Sequence, residues 1–413
     1  MHLLIDLRFY RPEKYGLAVH IKQLFQELSK LLVASPIFSK ITLVFDCANK
    51  DKDLSSDIDW WDLVNNEPKF QIHFSDCKYY SIQEQTKFKQ ELELLKPDLT
   101  YFFTFNFPVF YSRPFVYQIL DFTIPETRNN LSPKVQAMLW CVRAGINKAG
   151  KVIFLGDQTK MLAPKYTHWQ FTNKNKPNYK PNQVVYNGPN NKYLTQKTAT
   201  IQAQKITGID YSNEQTQLLG ELKSKLGLNR PYFTFVSVWR KYKNLSRLVL
   251  VFAEFNSKND YRYQLLICGL PDPKYPEIKK DILKNPEYKE GRIVIAEDLP
   301  DEDLIRLHDG SLAHVFPSFS EGFGLPLVEA SSRGVPVICS NIFIFQKIMQ
   351  DSAIFFDPES SFDMVQKLNQ FISLSDKEKQ ELSEKSYQNS LNYSWEKTAK
   401  EILQLLEEEI KQV

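Results

Sequence analysis

Short runs of apolar residues alternate along this chain with stretches of helical periodicity. Apolar runs at 2–5, 41–45, 70–74, 99–104, 115–119, 151–155 and 183–186 predict seven strands. Between them lie predicted helices at 16–32, 83–95, 133–149 and 158–165. In the first of these, Val19, Ile21, Leu24, Phe25 and Leu28 recur near helical spacing. A polar stretch, 187–229, interrupts the alternation and opens on the turn-rich Asn187-Gly188-Pro189-Asn190-Asn191. The pattern restarts with strands at 232–236, 263–268, 293–295, 313–316 and 335–339. Helices are predicted at 245–255, 277–285, 301–308, 361–373, 376–392 and 394–413. Strands that are apolar throughout, separated by helices, imply parallel sheets covered on both faces. The chain reads as two α/β halves, each doubly wound, with a cleft between them where ligands sit at the carboxyl ends of strands.

Length agrees with two domains, since 413 residues exceed one ordinary core. We place the domains at 1–190 and 191–395, with a C-terminal helix, 396–413, packing back on the first. Five scattered cysteines lack metal-ligand spacing and suit a reducing cytosol. The N-terminus has no signal-peptide layout. The aromatic run 101–120 is broken by Pro108, Arg113 and Pro114, which excludes a membrane span. Net charge is +3 but uneven: residues 1–190 hold 24 Lys and Arg against 18 Asp and Glu, so the first half carries +6 and the remainder −3. A basic first half suits an anionic membrane surface or an acidic acceptor, and it is also compatible with ordinary scatter. No nucleic-acid partner is expected.

The chemistry concentrates in 315–339, VFPSFSEGFGLPLVEASSRGVPVIC. A strand end runs into the turn Gly322-Phe323-Gly324, and Pro326 opens a short helix that Gly334 closes. A strand, a glycine loop and a helix N-terminus form a ready anion site, because free N–H groups and the positive helix end point the same way. Glu321 and Glu329 flank it. A carboxylate beside a phosphate site needs other work, such as binding hydroxyls.

EGFGLPLVEA resembles the paired-glutamate signature of retaining glycosyltransferase family 4, the group 1 glycosyltransferases, whose fold is GT-B: two Rossmann-like doubly wound domains facing a cleft. A second stretch, VSVWRKYKNLSRLVLVFAEF (236–255), is similar to the family segment in which a strand ends, a loop carries a basic pair and Lys-Asn opens a helix. Lys243-Asn244 matches the Lys-Asn, and Arg240 stands for the second cation. Further matches are FVYQILDFTIPE (115–126), KVIFLGDQTKMLAPKY (151–166), NQVVYNGPNNKY (182–193) and IVIAEDLPDEDL (293–304). The family often has His-Asp where this chain has Leu120-Asp121, so the chain departs from the family at a residue that usually lies close to the transferred sugar. Asp121 either binds an acceptor hydroxyl or caps a turn. Gly16 matches a family glycine facing the donor phosphate, or is simple helix entry. The segment 340–348 departs from the family, and Phe343–Phe345 there is cleft wall or core.

The resemblance implies a retaining, metal-independent transferase with no cofactor, taking a sugar from a nucleotide-diphosphate donor. The acceptor would be a glycan, lipid-linked or protein group in surface polysaccharide or glycoconjugate synthesis. The protein would be cytoplasmic, either free or peripheral at the inner membrane surface. Phe323, Gly324 and Leu325 would bind the diphosphate, with Arg240 and Lys243 neutralising it. Glu329 would accept hydrogen bonds from the ribose, Glu321 would hold hydroxyls of the transferred sugar, and the loop of Leu299 would meet the base. The alternative is a non-catalytic nucleotide-sugar-binding protein of the same fold in a glycan assembly complex. The Asp-x-Asp patterns at 51/53, 57/59 and 301/303 read as solvated carboxylates, the last as a helix cap.

Overall fold

Thirteen strands form in the described residues, and their pairings are all parallel. The computed structural model describes residues 1–10, 17–50, 54, 60–77, 81–122, 132–172, 174–175, 179–195 and 213–412. The chain divides into two compact units, Met1–Asn187 with Ser394–Val413, and Gly188–Tyr393.

In the first unit β1 (His2–Asp6), β2 (Lys40–Asp46), β3 (Phe70–Ser75), β4 (Leu99–Phe102), β5 (Phe115–Ile119), β6 (Lys151–Leu155) and β7 (Asn182–Val185) lie in the order 3-2-1-4-5-6-7. β1 and β5 are buried at every position, the polar His2, Asp6 and Gln118 included, and neither strand alternates as a half-exposed one would. The helix Leu17–Ala34 buries Ile21, Leu24, Phe25, Leu28 and Leu32. The helix Trp395–Ile410 packs against it, and His20 is enclosed between Phe103 and Trp395. Another core joins Phe88 and Leu92 to Val135, Leu139, Val142 and Ile146 of the helix Pro133–Lys148, and to Ala163 and Tyr166 of the helix Asp157–Tyr166. Ser132 starts the helix Pro133–Lys148 by accepting the Val135 N–H. The helix expected at 83–95 begins wider, with π-type turns over Glu84–Phe88, and only Lys89–Leu95 is α-helical. Glu84 there meets the fully buried Arg8, which also pairs with Asp6.

The second unit holds β8 (Tyr232–Val236), β9 (Gln264–Cys268), β10 (Ile293–Ala296), β11 (His314–Phe316), β12 (Val337–Ser340) and β13 (Ala353–Phe356), in the order 10-9-8-11-12-13. Several elements escape the sequence pattern, among them β13 and the helices Asn191–Thr195, Asn213–Leu226, Pro286–Lys289 and Phe343–Met349. Among its described side chains the helix Asn213–Leu226 fully buries only Leu219 and Leu222, so its polar sequence reads as linker. Phe343–Phe345 proves to be mostly core: Ile344 and Phe345 are fully buried, and Phe343 is left at the surface. Among the described residues no helix is long and apolar enough to cross a membrane.

Candidate active site

In the second sheet the strand order reverses between β8 and β11, the topological switch point where ligands of doubly wound sheets bind. The loops leaving these two strands carry the sequence-derived site. They are tied together by the Phe319 N–H donating to the Tyr242 carbonyl at 2.8 Å.

After β8 the chain passes Trp239, fully buried, and makes a tight turn at Lys241–Lys243. Asn244 ends that turn at φ 58° and starts the helix Leu245–Ser257, with its side-chain amide donating to the Pro358 carbonyl. Asn is one of the few residues that takes left-handed backbone readily, so the Lys-Asn pair is a conformational device that also fixes where Lys243 emerges. Lys243 then reaches Glu321: Nζ lies 2.5 Å from Oε1, with both side chains about nine-tenths buried. The Ser318 hydroxyl donates to the same oxygen at 2.8 Å. The ammonium also lies 5.0 Å from the ring centroid of Phe316 and 5.2 Å from that of Tyr242. Burial pushes the Lys243 ammonium down, but Glu321 and Tyr242 outweigh it and the pKa sits above the ordinary lysine value. Arg240 does not join this pair. Its Nε donates to Asp272 at 2.9 Å, although its charge is felt at Lys243.

After β11 the loop closes at Gly324, at φ 103°, directly before the helix Leu325–Ser332. A Cβ at Gly324 would lie 2.8 Å from Phe345 Cε1, so conformation and space both require glycine. Pro326 sits in the first turn, which holds no acidic residue. The Leu325 N–H therefore lies at the positive end of a helix, where an anion is favoured, while Pro326 has no N–H and the Leu327 N–H donates to the Gly324 carbonyl at 3.0 Å. Phe323 packs its ring on Tyr393 and contributes backbone rather than an open side chain.

Glu329 lies one turn on. Burial raises its pKa to about 7, against a hydrogen bond from the Asn190 backbone N–H, and the Asp301 charge raises it further. The segment around Asn190 is held by Arg333, whose guanidinium grips Asp309 through two bonds of 2.8 and 2.7 Å and donates to the Tyr193 carbonyl. Asp301 does not cap its helix, as the Asp-x-Asp reading had it. Pro300 stands at the cap position, and Asp301 and Glu302 pair with Lys192 while Asp303 pairs with Arg306. The patterns at 51/53 and 57/59 lie outside the described residues. Among the described residues no group of three or more His, Cys, Asp or Glu is arranged to hold a metal.

Leu299 turns its side chain toward the core that contains Leu307 and Ala296. Asp121 belongs to the first unit, partly buried after β5, next to Leu120, whose carbonyl accepts from Thr159. Gly16 lies outside the described residues. The structure thus brings Lys243, Glu321 and the Gly324 turn together and turns Arg240 to Asp272. Sequence reasoning missed Ser318, Asp272, Asn190 and Arg333. Ser318 was visible only as a polar residue three before Glu321, and the others carry no local signal.

Residues 221–389 match the sequence model of the family described as glycosyl transferases group 1. O-antigen chain mannosyltransferase B of Escherichia coli is 33% identical over 130 residues, which is 31% of this chain and 33% of that protein. O-antigen chain mannosyltransferase RfbU of Salmonella typhimurium is 25% identical over 165 residues, 40% of this chain and 43% of that one. The matched segments therefore span less than half of these relatives' length. The crystal structure of Anabaena HepE with UDP and glucose superposes with a TM-score of 0.65 at 16% identity, covering 98% of this chain and 99% of that one. WaaG, a glycosyltransferase involved in lipopolysaccharide biosynthesis, superposes at 0.67 with 12% identity, covering 98% and 99%. At such identities these two likenesses speak for the fold. Residues 221–389 are thus similar in sequence to the group 1 glycosyltransferases, and the chain has the GT-B fold of two Rossmann-like units.

Proposed function

We propose that this protein is a retaining, metal-independent hexosyltransferase of surface polysaccharide synthesis. It would move a sugar from a nucleoside-diphosphate donor to a glycan or lipid-linked acceptor, at the cytoplasmic face of a membrane. The observation that carries the reading is the Lys243–Glu321 pair set against the Gly324 turn and the helix end at the switch point. The named relatives are mannosyltransferases, which makes mannose the first sugar to try.

The diphosphate would lie on the N–H groups at Leu325, and Lys243 would turn from Glu321 to the phosphate. Charge grows on the leaving diphosphate as the bond from sugar C1 to phosphate oxygen breaks, and a fixed ammonium and helix end stabilise it most at that moment. Arg240, released from Asp272, would add a second cation. Glu321, freed of its lysine and still held by Ser318, would accept hydrogen bonds from sugar hydroxyls. Ionised Glu329 would accept them from the ribose. The acceptor oxygen bonds to C1 on the face the diphosphate leaves, and its proton passes to the departing phosphate oxygen, so no protein nucleophile is needed.

The test is turnover by the purified protein. A panel of UDP-, GDP-, ADP- and dTDP-sugars, mannosyl donors first, is incubated with membrane-extracted acceptor lipids. Release of nucleoside diphosphate with formation of a product keeping the donor's anomeric configuration, undiminished by EDTA, is expected. Acceptor-independent binding with no turnover of any donor overturns the enzymatic reading. An inverted product overturns the retaining one.

A further inference from the structure

Residues 133–180 hold nine Lys and Arg and a single acid, Asp157. The fold gathers much of this charge on one side of the first unit. The helix Pro133–Lys148 contains no acidic residue, and its apolar positions Val135, Met138, Leu139, Val142 and Ile146 face the core. Its outer face carries Lys134, Arg143 and Lys148, with Trp140 among them at 50% exposure. Arg143 donates to the Tyr166 carbonyl, which ties this helix to its neighbour Asp157–Tyr166, where Lys160 and Lys165 accompany Met161 at 52% exposure. At the other end Lys148 donates to the Val109 carbonyl, and the next residue, Phe110, is 66% exposed. Large apolar side chains thus stand in water among cations, at positions that a folding core does not need.

We propose that this face docks on an anionic lipid surface, with the helix Pro133–Lys148 lying in the plane of the headgroups. The combination decides the partner. Cations alone would suit any polyanion, but a soluble polyanion gives no reason to expose a tryptophan, a methionine and a phenylalanine. A lipid interface takes both: headgroup phosphates meet Lys and Arg, and an indole settles at the boundary of headgroup and acyl chain. Lys134 and Lys160 supply charge at long range, while Trp140 supplies the short-range insertion. This deepens the reading above, in which a lipid-linked acceptor sits in a membrane, but its readout does not depend on turnover.

The full chain is sedimented with vesicles of phosphatidylcholine alone and with vesicles that also contain phosphatidylglycerol. Binding to the anionic vesicles only, weakened by salt, is expected. Lys134→Glu with Lys160→Glu, and separately Trp140→Ser, should each lower the partition by about tenfold or more at an unchanged unfolding midpoint. Failure to bind either vesicle overturns the proposal. So does a Trp140→Ser variant that binds like the parent, which would point to a soluble acidic partner. If the parent turns over no donor yet binds vesicles in this way, the docking surface stands and the transferase reading fails.

Discussion

Lys243 and Glu321 lie 78 positions apart in sequence and 2.5 Å apart in space, each about nine-tenths buried. A buried pair of this kind leaves an uncompensated charge when one partner is removed. Glu321→Ala should therefore lose transfer altogether and also lower stability, and Lys243→Ala should weaken nucleoside-diphosphate binding by about 1–3 kcal/mol. The double variant should be less destabilised than the sum of the singles, because neither charge is then left alone. Urea unfolding of the four proteins, with calorimetry of diphosphate binding, checks this. Full transfer by Glu321→Ala would remove Glu321 from the site.

Glu329 adds a pH dependence with a defined sign. Its folded pKa of about 7 lies above the ordinary 4.5, so between these values the folded state holds a proton that the unfolded state has lost. Its contribution to stability is full below pH 4.5, declines from there to pH 7, and is flat above. Glu329→Gln should gain on the parent across that window and keep the advantage at pH 8, by up to about 3 kcal/mol at roughly 1.4 kcal/mol per unit. Nucleotide binding by the parent should tighten as pH rises through 7, since only the carboxylate accepts from both ribose hydroxyls. A pH-independent dissociation constant between 6 and 8 would reject the ribose role.

His308 works in the opposite direction. Burial, helped by the Arg333 charge, lowers its pKa to about 3 from 6.5. The unfolded chain therefore takes up a proton first, and the stability it contributes is complete above pH 6.5 and is lost as pH falls toward 3. His308→Phe should unfold at lower pH than the parent in an acid titration followed by circular dichroism. An unchanged acid midpoint contradicts this.

Gly324→Ala meets two obstacles, a left-handed φ and the Phe345 ring 2.8 Å from the new methyl. The backbone term alone costs about 1–2 kcal/mol. The melting temperature should fall and diphosphate affinity with it. Adding Phe345→Leu should recover part of the stability and little of the affinity, because the helix end is still displaced.

Arg333→Leu removes the clamp on Asp309 and on the Tyr193 carbonyl. A loss of about 3–5 kcal/mol is expected from the buried carboxylate left behind. Arg333→Leu with Asp309→Leu should recover most of it, read by denaturant unfolding. If the pair of changes is as damaging as the single one, the clamp is not the source.

Strands 115–119, 151–155 and 232–236 were legible to the residue, because a strand covered on both faces is apolar at most of its positions and stands out between polar turns. The helix Asn213–Leu226 was not, because few of its side chains, Leu219, Leu222 and Leu226 among them, pack inward and a helix at the margin of a unit needs little more. At the site, the glycine turn and the Lys-Asn pair could be read, since both are local backbone requirements. The Arg240 reading was half legible: its place in the loop was plain, but its partner Asp272 comes from beyond β9.

The sequence by itself determined the alternation of strands and helices, two α/β halves, and a glycine turn before a helix that attracts anions. Hydrophobic period and backbone conformation are local, and one chain states them without reference to its fold. Only the tertiary structure decided the strand order, and with it the meeting of the β8 and β11 loops. It also decided that Ser318 and Lys243 hold one carboxylate oxygen of Glu321, and that burial near Asn190 and Asp301 lifts Glu329 to about 7. Hydrogen-bond partners and desolvation depend on which surfaces meet, and no spacing along the chain records that.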